Sequence, residues 1–191
     1  MTIPARSETV AAAVLAGGQA QRLGGVDKGL VLWRGRPLIA AVVDALRPSF
    51  RDVLIVANRH LDTYRRYGRV CSDARGGYRG PLEGIAAALR ASVADWLLVV
   101  PVDSPQLGTD LFERLWQGRG DADVVVAHDG LRRQPLFALY RRDRVEWPDE
   151  IGDGPVWRWQ DRHHLRELDF SDSPGRFMNL NTAEDFSNAG G

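Results

Sequence analysis

The sequence predicts a three-layer α/β/α sandwich on a mostly parallel sheet with an antiparallel strand, and three observations predict it. Short apolar runs alternate with segments of helical spacing over roughly the first 120 residues, the pattern of strands covered on both faces. The first run feeds directly into a glycine-rich stretch, VLAGGQAQRLGGVDKGL, from Val14 to Leu30. Two later runs end in aspartates, Asp73 and Asp103, which in such a sheet fall at the carboxyl edge where ligands bind.

The elements follow in order. Val10 to Ala16 is continuously apolar, as a central strand requires. After the glycine-rich loop, Arg34-Gly35 reads as a turn, and Pro37 suits the first position of a helix over Leu38–Leu46 that stops before Pro48. Asp52 to Asn58 is a second strand, followed by a polar helix near Leu61 to Tyr67 and a short strand ending at Asp73. Gly80-Pro81 opens a helix, Trp96 to Val100 leads a fourth strand towards Asp103, and a helix is expected from about Thr109 to Trp116. DVVVAH and PLFALY flank Asp129-Gly130, a hairpin turn that makes the second strand antiparallel to the first. A Trp-rich segment, a short strand around Leu165 to Phe170, and a turn and helix after FMNLNT complete the chain. Trp157 and Trp159 read as core, His163-His164 as a surface pair, and the paired arginines 65–66, 132–133 and 141–142 as solvated faces.

Composition excludes several classes. At 191 residues, 44% hydrophobic and 26% charged, the chain is expected to form one domain over residues 1–191. Its 25 basic and 25 acidic residues cancel, so net charge gives no global pull towards nucleic acid or an anionic membrane, while a local basic site stays open. No apolar run approaches bilayer length, and the seven-residue run after Arg6 reads as a buried strand rather than a secretory signal. Cys71 is the lone cysteine, which excludes an intrachain disulfide and leads us to expect a reducing, cytoplasmic setting.

The opening stretch has the chemistry of a polyphosphate cradle. Gly17, Gly18, Gly24 and Gly25 let backbone amides approach a ligand closely, and such amides form an anion-binding nest. Arg22 offers a bidentate fork to phosphate oxygens and Lys28 a point charge. The stretch lacks both G-x-G-x-x-G and the G-K-[ST] ending of a Walker loop. Farther on, the first-turn amides after Gly80 favour an anion, although Pro81 alone would explain the helix start. Asn179 and Asn181, one residue apart in an extended segment, send their amides to one face while Met178 and Leu180 turn to the core. Thr182 and Asp185 then form a box-like helix cap.

These residues carry a family resemblance. Leu15-Ala16-Gly17-Gly18, Arg22-Leu23-Gly24-Gly25 and Asp27-Lys28 match the loop of the molybdenum cofactor guanylyltransferases. NRH (58–60), GPLEG (80–84), PVDSP (101–105), HDG (128–130) and NLNT (179–182) follow in that family's order. The resemblance implies a Rossmann-like nucleotidyltransferase fold. It also implies an enzyme that joins GMP from GTP to the terminal phosphate of molybdopterin, giving molybdopterin guanine dinucleotide and pyrophosphate. That phosphate is already anionic, so no general base is needed, and positioning with charge neutralisation dominates. The resemblance makes Asp103 the ligand of Mg2+, the expected cofactor; read alone, it could equally cap a turn. It further places Leu15, Ala16, Gly17, Gly18, Lys28, Asp73 and Asp103 on the nucleotide, and Gly25, Gly80, Asn179 and Asn181 on the pterin side. Lys28, Arg22 and Asp103 are its catalytic group. Cofactor-delivery and molybdoenzyme partners are further expectations.

The chain departs from that family at two places. Val56 stands where members often carry asparagine two residues before NRH, and GDGPV (152–156) replaces a basic G-x-R-[RS]-V element, with Arg158 as the candidate substitute. Three alternatives stay open. A cytidylyltransferase of the same cofactor typically has L-A-A-G, so Gly17 favours guanine. A sugar-phosphate nucleotidyltransferase commonly carries a long C-terminal extension. A non-catalytic cofactor-delivery protein would have little use for both Lys28 and Asp103.

Overall fold

Seven strands make the main sheet of the computed structural model, which describes residues 8–17, 19–20, 26–72, 80–147 and 154–189. They are β1 (Val10–Leu15), β2 (Val53–Val56), β3 (Arg69–Cys71), β4 (Trp96–Pro101), β5 (Val124–His128), β6 (Arg133–Arg141) and β7 (Leu165–Asp169). Across the sheet the order is β7-β5-β6-β4-β1-β2-β3, and β6 is the strand that runs antiparallel to both neighbours. The helices are α1 (Leu38–Leu46), α2 (Leu61–Tyr64), α3 (Pro81–Ala91), α4 (Leu111–Gly118), α5 (Val156–Gln160) and α6 (Ala183–Ala189).

Helices cover both faces, and the apolar runs follow from this. On β4, Trp96, Leu98 and Val100 join a core with Ile39, Val42 and Leu46 of α1 and Leu111 and Leu115 of α4. The alternate residues, Leu97 and Val99, join a second core with Leu82, Ile85 and Leu89 of α3 and Trp159 of α5. A strand sandwiched in this way has no face left for polar residues.

Several boundaries differ from the sequence reading. Pro37 sits one position outside α1, as its extended cap residue (ψ 142°). The segment after Leu61 closes a single helical turn, because Tyr64 is drawn wholly into the core and Gly68 packs onto the Val53 carbonyl. The α4 helix begins at Leu111, two residues later than expected. Trp159 is core as expected, but Trp157 is 46% exposed.

His163 is not a plain surface histidine. Its Nε2 accepts from the Glu146 N–H, and its ring meets Trp159 edge-on. Among the arginine pairs, Arg133 bridges Asp161 and Glu167, and Arg142 donates to the Leu89 carbonyl, so these two tie elements together.

The β5–β6 pairing contains a large bulge. Register passes from Gln134 opposite Ala127 to Ala138 opposite Val126, leaving Pro135, Leu136 and Phe137 without partners on β5. Phe137 turns into the first core against Phe177, and Leu136 turns the other way, towards the carboxyl edge of β4. The bulge is pinned from α5: Gln160 Nε2, fully buried, donates to the Pro135 carbonyl and to the Tyr140 hydroxyl, both at 2.8 Å.

Candidate active site

A cleft opens at the carboxyl ends of β1, β2 and β4. Leu15, Gly17, Val56, Pro101 and Val102 form its base, Gly80, Pro81 and Gly84 of α3 one wall, Leu136 another, and Lys28 and Asp103 its charged end. Backbone bonds knit that edge together: Ala16 N donates to Val56 O (2.9 Å) and Val102 N to Leu15 O (3.1 Å). The strand ends therefore cannot splay, and side chains just beyond them converge.

Lys28 begins a 3-10 turn over Lys28–Leu30, capped by Asp27. It is only 8% exposed. Its Nζ donates to Asp103 Oδ2 at 2.7 Å and to Asn181 Oδ1. Asp103 leaves the end of β4 through Pro101 and Val102, and its carbonyl accepts from Leu180 N at 2.9 Å. Its second carboxylate oxygen, Oδ1, is buried and has no hydrogen-bond partner among the described residues. A buried, unpaired carboxylate oxygen is costly to desolvate, so it marks a place where a ligand belongs.

The Asn179–Asn181 segment is brought to the same loop. Asn179 Oδ1 accepts from the buried Ser104 hydroxyl at 2.7 Å, while Asn181 reaches Lys28. Expected alternation fails at Met178, which is 41% exposed; Phe177 and Leu180 are the buried anchors. The 3-10 turn over Pro174–Phe177 resets the phase just before this segment. The helix cap forms as read: Asp185 Oδ2 accepts from Asn181 N and Thr182 N, and Thr182 Oγ1 accepts from Asp185 N. Those two amides hold the Asp185 carboxyl below its usual range.

Gly80 caps α3 with φ 94°, a left-handed value suited to glycine, and Pro81 occupies the first helical position. Gly80, Pro81 and Gly84 put the start of α3 in the cleft wall, where first-turn amides lack intrahelical acceptors. Gly17, by contrast, is not required to be glycine by its neighbours. A Cβ there would make only ordinary contacts, 3.8 Å to Asn58 Nδ2 and 3.9 Å to Val56 O, so the protein itself leaves room for one. Gly18, Arg22, Gly25 and Asp73 lie outside the described residues.

Val56, Pro101, Gly84 and Leu136 also line the cleft; the sequence reading noted Val56 only as a departure from the family and placed none of the four among the site residues. Val56 and Pro101 were discoverable, since they lie near the carboxyl ends of predicted strands. Leu136 was hidden by the bulge, which no periodicity announces. Arg158, the candidate substitute in the altered region, has its guanidinium 5.4 Å from the Trp157 ring and lies outside the cleft.

A lysine–aspartate pair at the carboxyl edge of a parallel sheet, facing a glycine-lined helix start, defines an α/β protein of the nucleotidyltransferase class. The family described as MobA-like NTP transferase domain matches residues 12–166, and the chain belongs to that family. It is 43% identical over 181 residues to a molybdenum cofactor guanylyltransferase of Vibrio parahaemolyticus, covering 93% of each chain. It is 41% identical over 194 residues to that of Vibrio atlanticus, covering all of this chain and 98% of the relative. In fold it is similar to molybdopterin-guanine dinucleotide biosynthesis protein A of Archaeoglobus fulgidus, with TM-score 0.78, 23% identity, and coverage of 94% and 96%. Among the described residues no helix is long and apolar enough to cross a membrane.

Proposed function

We propose that this protein transfers GMP from GTP to the terminal phosphate of molybdopterin, forming molybdopterin guanine dinucleotide and releasing pyrophosphate. Relatives at 40–43% identity that bear the name molybdenum cofactor guanylyltransferase support the reaction. The geometric observation that carries it is the Lys28–Asp103–Asn181 cluster in a cleft with an unpartnered Asp103 oxygen.

Each residue has a task in this reading. An ammonium has three donors, and Lys28 commits two to Asp103 and Asn181, which leaves one for a phosphate oxygen. The α3 amides and Gly17 let phosphate and ribose approach the backbone without side-chain obstruction. Leu15, Val56 and Leu136 supply apolar surface for a base. Asp103 would hold Mg2+, since its free Oδ1 suits a cation that takes one carboxylate and completes its shell with substrate oxygens. The metal, when bound, neutralises charge on the triphosphate. By family resemblance Arg22 belongs with Lys28 and Asp103 to the catalytic group, and Asp73 to the nucleotide contacts. Asn179, Asn181, Gly25 and Gly80 belong to the pterin side on the same ground.

The attacking phosphate is an anion and loses no proton, so the chain needs no base there; its work is alignment and charge balance. A single-turnover assay with purified protein, GTP, Mg2+ and molybdopterin should yield the guanine dinucleotide. Pyrophosphate release with a hexose 1-phosphate and no pterin would instead indicate a sugar nucleotidyltransferase.

A further inference from the structure

Asp27 precedes the lysine of the cleft but is not part of the cleft lining. It is buried, and one carboxylate oxygen, Oδ1, accepts from both Gly29 N (3.3 Å) and the Tyr64 hydroxyl. Tyr64 arrives from α2, is completely buried, and belongs to the same core as α1 and Leu30. Its ring lies against Gly29. A Cβ on Gly29 would collide with the Tyr64 hydroxyl and stand 3.1 Å from Val102 Cγ2. The turn that carries Lys28 is thus clasped between Tyr64 below and the Asp103 loop beside it. Core packing alone would be served by phenylalanine. What the hydroxyl adds is a donor for a buried carboxylate, which otherwise would keep a lone pair unsatisfied.

We propose that Tyr64 is a positioning residue: acting through Asp27, it fixes the Asp27–Leu30 turn so that Lys28 Nζ meets Asp103 and Asn181. The inference rests on the reading of Lys28 as catalytic. It also joins the Asn58–His60 loop to the catalytic cation, because α2 follows directly from His60, itself held in the left-handed region at φ 51°.

The chain offers an unusual probe, since Lys28 is its only lysine. Labelling with isotopic lysine therefore gives a single side-chain signal in NMR spectra. Tyr64→Phe should shift and broaden the Lys28 ε-methylene peak and lower kcat by about tenfold, within the roughly hundredfold that an ångström of misplacement can cost. KM for GTP should change by less than about twofold on the same ground. Asp27→Asn in the otherwise wild-type chain keeps a carbonyl acceptor for both donors, so it should retain the wild-type peak position and most of kcat. Tyr67→Phe is the control, because the Tyr67 hydroxyl has no hydrogen-bond partner among the described residues; it should change neither readout. An unmoved Lys28 peak and unchanged kcat in Tyr64→Phe, with only Tm reduced, overturns the proposal and leaves Tyr64 as core. Lys28→Met separates the two readings. If it turned over like wild type, the catalytic role of Lys28 would fall while a shifted peak in Tyr64→Phe still supported the clasp. If Lys28→Met were inactive and that peak stayed still, the positioning inference alone would fail.

Discussion

Lys28 Nζ lies 2.7 Å from Asp103 Oδ2, so two charges 75 residues apart in the chain close one end of the cleft as an ion pair. The side chains are 10% and 20% exposed, which makes the pair neither a solvated surface contact nor a dry core one. A pair in such a setting is weak evidence for stability, because desolvation offsets its attraction. Lys28→Met should cost about 10²–10³-fold in kcat, the usual loss when one preorganised donor to developing charge is deleted. Steady-state guanylyl transfer measures it, with circular dichroism to verify folding. A loss below about threefold would remove Lys28 from the reaction.

Asp103→Asn isolates the carboxylate from its packing. The amide oxygen still accepts from Lys28 and the backbone bond from Leu180 is untouched, so Tm should move by less than about 4 °C, or about 1 kcal/mol. Turnover should nevertheless drop by about 10²–10³-fold, because the anionic oxygen proposed to hold Mg2+ is gone. Magnesium titration of residual activity provides a second check. A variant that saturates with Mg2+ at wild-type concentrations would show that the metal is held elsewhere.

Nucleotide preference can be read without the pterin. GTP with Mg2+ at a hundred times its Kd stabilises the folded state by about 2.7 kcal/mol, which at this chain length is about 5–11 °C in Tm. CTP with Mg2+ at equal concentration should give a clearly smaller shift. The reverse order would redirect the reading to cytidylyl transfer.

Much of this was legible in the sequence, for identifiable reasons. The strands β1, β2 and β4 are buried on both faces, so they read as unbroken apolar runs, and their carboxyl ends put the glycine-rich loop with Lys28 and Asp103 on one edge; Gly80 was read as a helix start rather than from a strand end. Asn181 was legible through its spacing from Asn179, although Met178 shows that alternation could not survive the preceding 3-10 turn. Tyr64 and Leu136 were hidden for another reason. Their roles depend on contacts between segments distant in the chain, 37 residues apart for Tyr64 and Asp27, and no local pattern encodes those.

The bulge offers a test at a distance from the charges. Gln160→Leu keeps the side-chain volume near Trp159 but removes the donor to the Pro135 carbonyl and the Tyr140 hydroxyl. Stranding these buried groups should cost about 1–3 kcal/mol, a fall of about 2–12 °C in Tm. Because the same bulge presents Leu136 to the cleft, KM for GTP should rise by about three- to tenfold with kcat nearly unchanged, the pattern of lost uniform binding. A stability loss with unaltered KM would mean that Leu136 does not touch the nucleotide.

Alkaline pH gives the last prediction. Burial, and after it the hydrogen bond to Asp27, pushes the Tyr64 hydroxyl far above its ordinary value near 10. Burial does the same to Tyr140, partly opposed by the bond from Gln160. Both groups hold their protons more tightly folded than unfolded. Above about pH 10 the unfolded chain ionises them and the folded chain does not, so their contribution is complete below that pH and declines as pH rises. Each should remove up to about 1.4 kcal/mol per pH unit, or about 3–6 °C in Tm. Cys71, whose thiol burial also raises, adds a loss of the same sign from about pH 9. Thermal melts between pH 8 and 11.5 should therefore show a steepening fall in wild type and a shallower one in Tyr64→Phe, once the two curves are aligned at pH 8. Parallel curves would mean that the Tyr64 hydroxyl ionises in the folded protein, and that the carboxylate of Asp27 does not hold its proton.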